Sequence, residues 1–171
     1  MRNAAINDYK WLYANTDYMQ HGQILRAAGI LEHLNTGDHV LEFGAGRFEL
    51  ARTMRTLGMN WDATDEATGA HDISRKYDVT VSIDVMEHMT EDEARATIKA
   101  MTRIAPRHVW SIANMSDVHN VNGEDVQLHT IRQPASWWSA MAKAQWPWSV
   151  ATKEINPSRF WLIMEKPWTQ Q

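Results

Sequence analysis

The stretch His39-Val40-Leu41-Glu42-Phe43-Gly44-Ala45-Gly46 decides the fold. Five residues of mostly apolar strand character run directly into a glycine pair, and a helical pattern follows at once. In that pattern Leu50, Ala51, Met54 and Leu57 share one face, and Gly58 supplies a C-terminal stop. Strand, tight glycine turn and helix in succession are the opening of a βαβ unit. Upstream, Asn35-Thr36-Gly37-Asp38 reads as a turn, preceded by a helix over about Tyr9 to Leu34. Downstream, Asn60 to Thr64 is a weak strand ending at Asp65, and Tyr77 to Val85 is the clearest strand in the chain. Thr90-Glu91-Asp92-Glu93 is a capping box that opens a helix to Ala105. His108 to Ile112 is a further strand, Asn114 to Gly123 reads as a polar loop, and Pro134 opens another helix. Two strands, Ser149–Ile155 and Arg159–Met164, flank Asn156-Pro157-Ser158. Parallel neighbours need a crossover of about a dozen residues. Three are too few, so this last pair runs antiparallel. The expected fold is α/β, a mostly parallel sheet with an antiparallel strand at the C-terminus.

Composition narrows the possibilities. The 171 residues show no repeat or linker and read as one domain over 1–171. There is no cysteine, so disulfides, thiolate nucleophiles and cysteine-type metal sites are excluded. The net charge of −4 argues against nucleic-acid binding by bulk charge. No apolar run approaches the roughly 18 residues that cross a bilayer. The N-terminus has no basic-then-apolar leader pattern, so a cytoplasmic location is expected. The eight histidines form no HxxxH or HxH spacing, and no metal site is expected. Six of the nine tryptophans lie in the last third of the chain.

Three places carry candidate chemistry. The first is the glycine loop. Its third fingerprint position is Glu49 and not glycine, and Glu42 stands beside it. A ligand with a cationic or hydroxyl-bearing part suits such a loop better than a diphosphate. The second is Asp65, 21 positions after Gly44, at the end of the second strand. An acid there accepts ribose hydroxyls, with Glu66 and Asp62 as rivals. The third is Asp84-Val85-Met86-Glu87-His88, three ionisable groups where the best strand presents its ligands. His71-Asp72-Ile73 is a weaker fourth, Asp72 being an acceptor for an exocyclic amine or a turn residue.

The ordered set VLEFGAG, Asp65, HDIS and YDVTVSIDVMEHM resembles the class I S-adenosylmethionine-dependent methyltransferases. It is most similar to the small-molecule branch whose fourth motif reads D-V-x-E-H. Gln127 to Trp138 (QLHTIRQPASWW) is similar to a segment of methyltransferase-like proteins of bacteriophages, for which the location would be the host cytoplasm. The resemblance spans roughly Val40 to Met164. It implies a Rossmann-like fold and S-adenosyl-L-methionine (SAM) as cofactor. Glu42, Gly44 and Gly46, with Ala45 between them, would line the methionine half of the cofactor. Asp65, with Glu66 beside it, would hold the ribose. Asp72 and Ile73 would face adenine, and Asp84 would lie near the transferring methyl. Arg47 departs from the family pattern and is a candidate partner for the cofactor carboxylate.

Only 12 residues separate Asp65 from Asp78, where the family fits a helix, a strand and a second helix. The third-strand region is therefore expected to be reduced or absent. The expected reaction is methyl transfer to a small molecule, with His88 and His129 as candidate bases and His119 as a weaker third. The alternative is a protein of the same fold that binds SAM without catalysis or consumes it without an acceptor. Residues 1–36 are expected to act as a helical lid, with Tyr9, Trp11, Tyr13 and Tyr18 closing the pocket. Trp137 and Trp138 are adjacent, so only one can pack on the sheet. Most of the nine tryptophans are expected to be core, and the C-terminal ones are also candidates for the acceptor side. No nucleic-acid or membrane partner is expected, and the protein is expected to be a monomer or homodimer.

Overall fold

A computed structural model describes residues 2–18, 29–68 and 76–167. Six strands form the main sheet: β2 (His39–Phe43), β3 (Asn60–Thr64), β4 (Val79–Ile83), β5 (Arg107–Ala113), β8 (Ser149–Asn156) and β9 (Arg159–Glu165). Their order is β3-β2-β4-β5-β9-β8. The first four run parallel, and β9 is antiparallel to both β5 and β8. The three-residue turn at Asn156 to Ser158 forces this hairpin, as its length predicts. Among the described residues β3 is the sheet edge, so no strand occupies the place beyond it. The short Asp65–Asp78 connection accounts for that truncation. Residues 69–75, which include Asp72 and Ile73, lie outside the described residues.

Both faces of the sheet are covered. Helix α2 (Glu49–Thr56) packs Leu50, Ala51 and Met54 with Val40, Val79, Val81 and Trp61 on one face. Helices α3 (Glu91–Met101) and α4 (Ala135–Gln145) pack on the other, around Trp110, Ile112 and Leu162. Strand β5 shows the alternation, with Val109 in the first cluster and Trp110 in the second. The capping box forms: Thr90 accepts from the Glu93 N–H, and the Glu93 carboxylate accepts from the Thr90 N–H.

Three expectations need correction. The N-terminal helix does not run continuously from Tyr9. Helix α1 spans Ile6–Asn15 and ends because Thr16 is extended and turns its hydroxyl back onto the Leu12 carbonyl. The polar stretch Asn114 to Gly123 is not all loop. It carries β6 (Val118–Val121), which pairs antiparallel with β7 (Glu124–Gln127). Asn122 and Gly123 both have positive φ, the geometry of a two-residue hairpin turn. Strand β1 (Arg2–Asn3) adds to β7, making a second, three-stranded sheet in the order β1-β7-β6. Helix α1 packs Leu12 on it against Val121, Val126 and Leu128. The chain thus builds a cap from its N-terminus and an insertion between β5 and α4. The third correction concerns the tryptophans as candidates for the acceptor side. Trp110, Trp138 and Trp146 are buried in one core cluster with Trp137 and Trp148 packed against it, and Trp61 and Trp161 are buried in the cluster under α2.

Candidate active site

A cavity of about 660 Å³ opens at the C-terminal ends of β2, β3 and β4, between the main sheet and the cap. Open α/β sheets bind ligands at this edge. Gly44, Asp65, Glu66 and Asp84 line it, with His88 and Glu93 further along. The aromatic wall is Tyr9, Tyr13, Tyr18 and Phe43. Three of the four aromatic residues expected to close the pocket therefore reach it. Trp11 is absent from the lining, as is every other tryptophan among the described residues.

The glycine loop has the geometry its sequence requires. Gly44 and Gly46 have φ of 69° and 55°. A Cβ on Gly44 would stand 2.3 Å from Val85 Cγ2, so glycine is required for packing as well as for conformation. Ala45 is buried, and its N–H donates to the Thr64 carbonyl, tying the loop to β3. Asp65 holds the loop from the other side. Its carboxylate accepts from the Gly46 N–H at 2.9 Å and from the backbone N–H groups of Ala67 and Thr68.

Glu42 is displaced from its expected role. It is fully buried beneath the loop, does not line the cavity, and accepts a hydrogen bond from the Trp61 indole at 2.9 Å. Burial pushes its carboxyl up to about 7, with the Trp61 bond opposing. Arg47 is also redirected. It donates to the carbonyls of Tyr13 and Thr16 and so clasps the end of α1 in place of a cofactor carboxylate.

Asp84 sits just past β4 with φ of 53°, a left-handed conformation that aspartate tolerates better than most residues. Arg159 on β9 donates to both its oxygens, and the Ser111 hydroxyl donates to Oδ1 at 2.7 Å. Arg159 and Ser111 carried no sequence signal, because the Arg159 pairing spans 75 positions.

At the cavity wall, Glu87, His88 and His129 converge, with donor atoms within 4.8 Å of one another. The turn Met86–His88 supplies the first two. The segment after β7 supplies His129, anchored where Ile131 donates to the Glu87 carbonyl and Thr130 to that of His88. His88 lines the cavity; His129 does not, and stands behind it with ring centroids 4.9 Å apart. Burial pushes His88 down to about 4 and lowers His129 as well. Burial, with Asp84 adding, raises Glu87 well above the carboxylate range. His88 and His129, which have no ligand spacing in the sequence, are thus brought together in space. His119 stands one carboxylate further out, bonded to Asp117 Oδ1, whose other oxygen is 3.6 Å from His129, and edge-on to Tyr18.

The arrangement matches known structures more closely than known sequences. No family model matches the chain, and no curated protein matches it by sequence. A structure described as a DhpI–SAM–HEP complex superposes with a TM-score of 0.66 at 13% identity, covering 94% of this chain and 95% of that one. The CcbJ methyltransferase of Streptomyces caelestis gives 0.67 at 11% identity, with 95% and 99% covered. The chain has the methyltransferase fold. A third structure with this fold, the Burkholderia thailandensis 1,6-didemethyltoxoflavin-N1-methyltransferase with its substrate and S-adenosylhomocysteine, gives 0.63 at 15% identity over 94% and 89%. The truncated edge beyond β3 does not disturb this likeness. The phage side of the resemblance rests on Gln127 to Trp138 alone. Among the described residues no helix is long and apolar enough to cross a membrane.

Proposed function

We propose that this methyltransferase-fold protein binds SAM across the glycine loop and transfers its methyl group to a small molecule in the adjoining cavity. The observation that carries this reading is the charge of the cavity wall. Four carboxylates line it, Asp65, Glu66, Asp84 and Glu93. Arg159 from behind the wall pairs with Asp84, and for Asp65, Glu66 and Glu93 there is no lysine or arginine among the described lining residues. Such a wall repels a diphosphate and suits a ligand with cationic groups. The tyrosine faces add a surface that attracts a sulfonium or ammonium centre. The positive-φ glycines allow close backbone approach at the same edge.

When bound, SAM supplies a methyl group activated by its sulfonium. The residues of this chain align, shield and manage protons. Alignment alone supplies roughly 7–11 kcal/mol of a displacement barrier. Asp65 positions the glycine loop and, in this reading, holds the ribose hydroxyls. Tyr9, Tyr13 and Tyr18 exclude water from above. Arg159 and Ser111 fix the Asp84 carboxylate at the end of β4, where it orients the groups beside it. His88 is neutral at pH 7, and its Nδ1–H donates to the Leu128 carbonyl, which leaves Nε2 as a proton acceptor. Its low basicity suits an acceptor whose proton is already weakly held.

Calorimetric titration with S-adenosylhomocysteine tests binding, and mass spectrometry of small-molecule mixtures incubated with SAM tests transfer. Asp65→Asn is expected to weaken binding about 10- to 100-fold, an estimate from the 1.5–3 kcal/mol of bonds to a charged group. Absence of binding by the wild type ends the proposal. Binding with SAM breakdown and no methylated product favours the cofactor-consuming alternative.

A further inference from the structure

We propose that Glu87, His88 and His129 bind one divalent transition-metal ion at the wall of the cavity. Two imidazoles and one carboxylate are a donor set for zinc and for other first-row divalent ions. Three features make it more than a coincidence of polar residues. First, both imidazoles have their tautomers fixed by backbone carbonyls. His88 Nδ1 is 3.0 Å from the Leu128 carbonyl and His129 Nδ1 is 2.7 Å from that of Met115. A carbonyl only accepts, so each Nδ1 carries the hydrogen and each Nε2 presents a lone pair. Metal-binding histidines are oriented by this kind of outer bond.

Second, the carboxylate is buried and half-satisfied. Glu87 is wholly inaccessible, its Oε1 accepts from the Ala113 N–H at 2.9 Å, and its Oε2 has no hydrogen-bond partner among the described residues. The nearby cation does not answer this need, because Arg159 is committed to Asp84 through Nε and a terminal nitrogen at 3.1 and 2.8 Å. Third, His129 Nε2 faces carboxylates, with Glu87 Oε1 at 4.0 Å and Asp117 Oδ2 at 3.6 Å. A lone pair facing these oxygens is answered by a cation or by a proton on Glu87. Bond lengths of about 2.0–2.2 Å place two donors on one tetrahedral ion about 3.3 Å apart. One ring nitrogen of each histidine and one Glu87 oxygen lie within 4.8 Å of one another, with His129 Nε2 4.0 Å from Glu87 Oε1, so side-chain shifts of about 1 Å close the site. Three protein donors leave coordination positions for water or substrate, and His88 puts the ion beside the cavity, where it takes the lone pair that otherwise accepts a proton.

The test uses the full chain, stripped with a chelator and verified metal-free by elemental analysis. Zn²⁺ is then titrated calorimetrically, and Co²⁺ by its visible ligand-field bands. The expected result is one ion per chain, Co²⁺ bands of a low-coordinate nitrogen–oxygen site, and a Tm that rises with metal concentration. Glu87→Gln and His129→Asn are expected to lose about 100-fold or more in affinity, as loss of a direct ligand exceeds the 10- to 100-fold typical of outer-shell changes. If Glu87→Gln fails to fold by near-ultraviolet circular dichroism, His88→Asn takes its place. An unmoved wild-type Tm with no Co²⁺ bands assigns the space to a proton and overturns the proposal. Equal affinity in wild type and folded variants places the ion elsewhere and also overturns it. Every measurement is made without SAM, so failure of methyl transfer and failure of the ion site are read separately.

Discussion

Gly44 shows how one residue serves conformation and packing together. Its φ is 69°, and an added Cβ meets Val85 at 2.3 Å. A left-handed conformation costs a non-glycine residue roughly 1–2 kcal/mol, and overpacking roughly 1–3 kcal/mol. Gly44→Ala is therefore expected to lower stability by about 2–5 kcal/mol in urea unfolding. Val85→Ala in the same chain is expected to return the overpacking share and leave the conformational share. An alanine variant as stable as the wild type would refute this account. The loop and Asp65 were legible from the sequence because both depend on local spacing along consecutive elements. Glu42 was misplaced because the same motif does not say whether its side chain points to the ligand or to Trp61. Arg159 and His129 were illegible as partners, since nothing local marks a contact made between distant segments.

At the scale of elements, helix α1 and the residues flanking it form the cavity's upper wall, and Arg47 joins them to the glycine loop. Its guanidinium donates to the carbonyls of Tyr13 and Thr16, beside two of the cavity-lining tyrosines. Bonds from a charged donor are worth about 1.5–3 kcal/mol. Arg47→Ala is expected to lower the protection of α1 amides in hydrogen exchange by about 10- to 100-fold. The amides of β4 and β5 are expected to stay as protected as in the wild type. Equal loss in all three elements would mean that Arg47 supports global stability and does not act as a local clasp. The strands of the main sheet were readable because β4 and β5 are apolar and β-branched. The cap was not, because β6 and β7 expose polar faces and are only four residues each. Asn122-Gly123 was the missed signal, a strong hairpin pair lying inside a stretch that is otherwise loop-like in composition.

The whole molecule balances a shortened sheet against a tryptophan-rich core, and two buried ionisable groups in that core set its response to pH. His108 packs between Trp110 and Trp146, with Nδ1 bonded to Thr80, and burial pushes it down to about 3. The folded state resists its protonation, so its contribution is full above the unfolded value near 6.5 and is lost as pH falls toward 3. Glu42 has the opposite sign. Its folded value of about 7 lies above the free value of 4.5, so its contribution is full below 4.5 and is lost as pH rises to 7. Between 4.5 and 6.5 the two slopes oppose each other, giving a broad maximum of stability with His108 steepening the acid side. His88 adds to the acid limb and Glu87 to the alkaline one, so the informative quantity is the difference between variant and wild type. Glu42→Gln removes one titration and keeps an acceptor oxygen for the Trp61 indole. From pH 5 to pH 8 the wild type is expected to lose roughly 2–3 kcal/mol more than this variant. Urea midpoints at constant ionic strength measure the difference. Parallel curves across that range would mean that Glu42 titrates normally in the folded protein, and that the carboxylate beneath the glycine loop is charged at neutral pH.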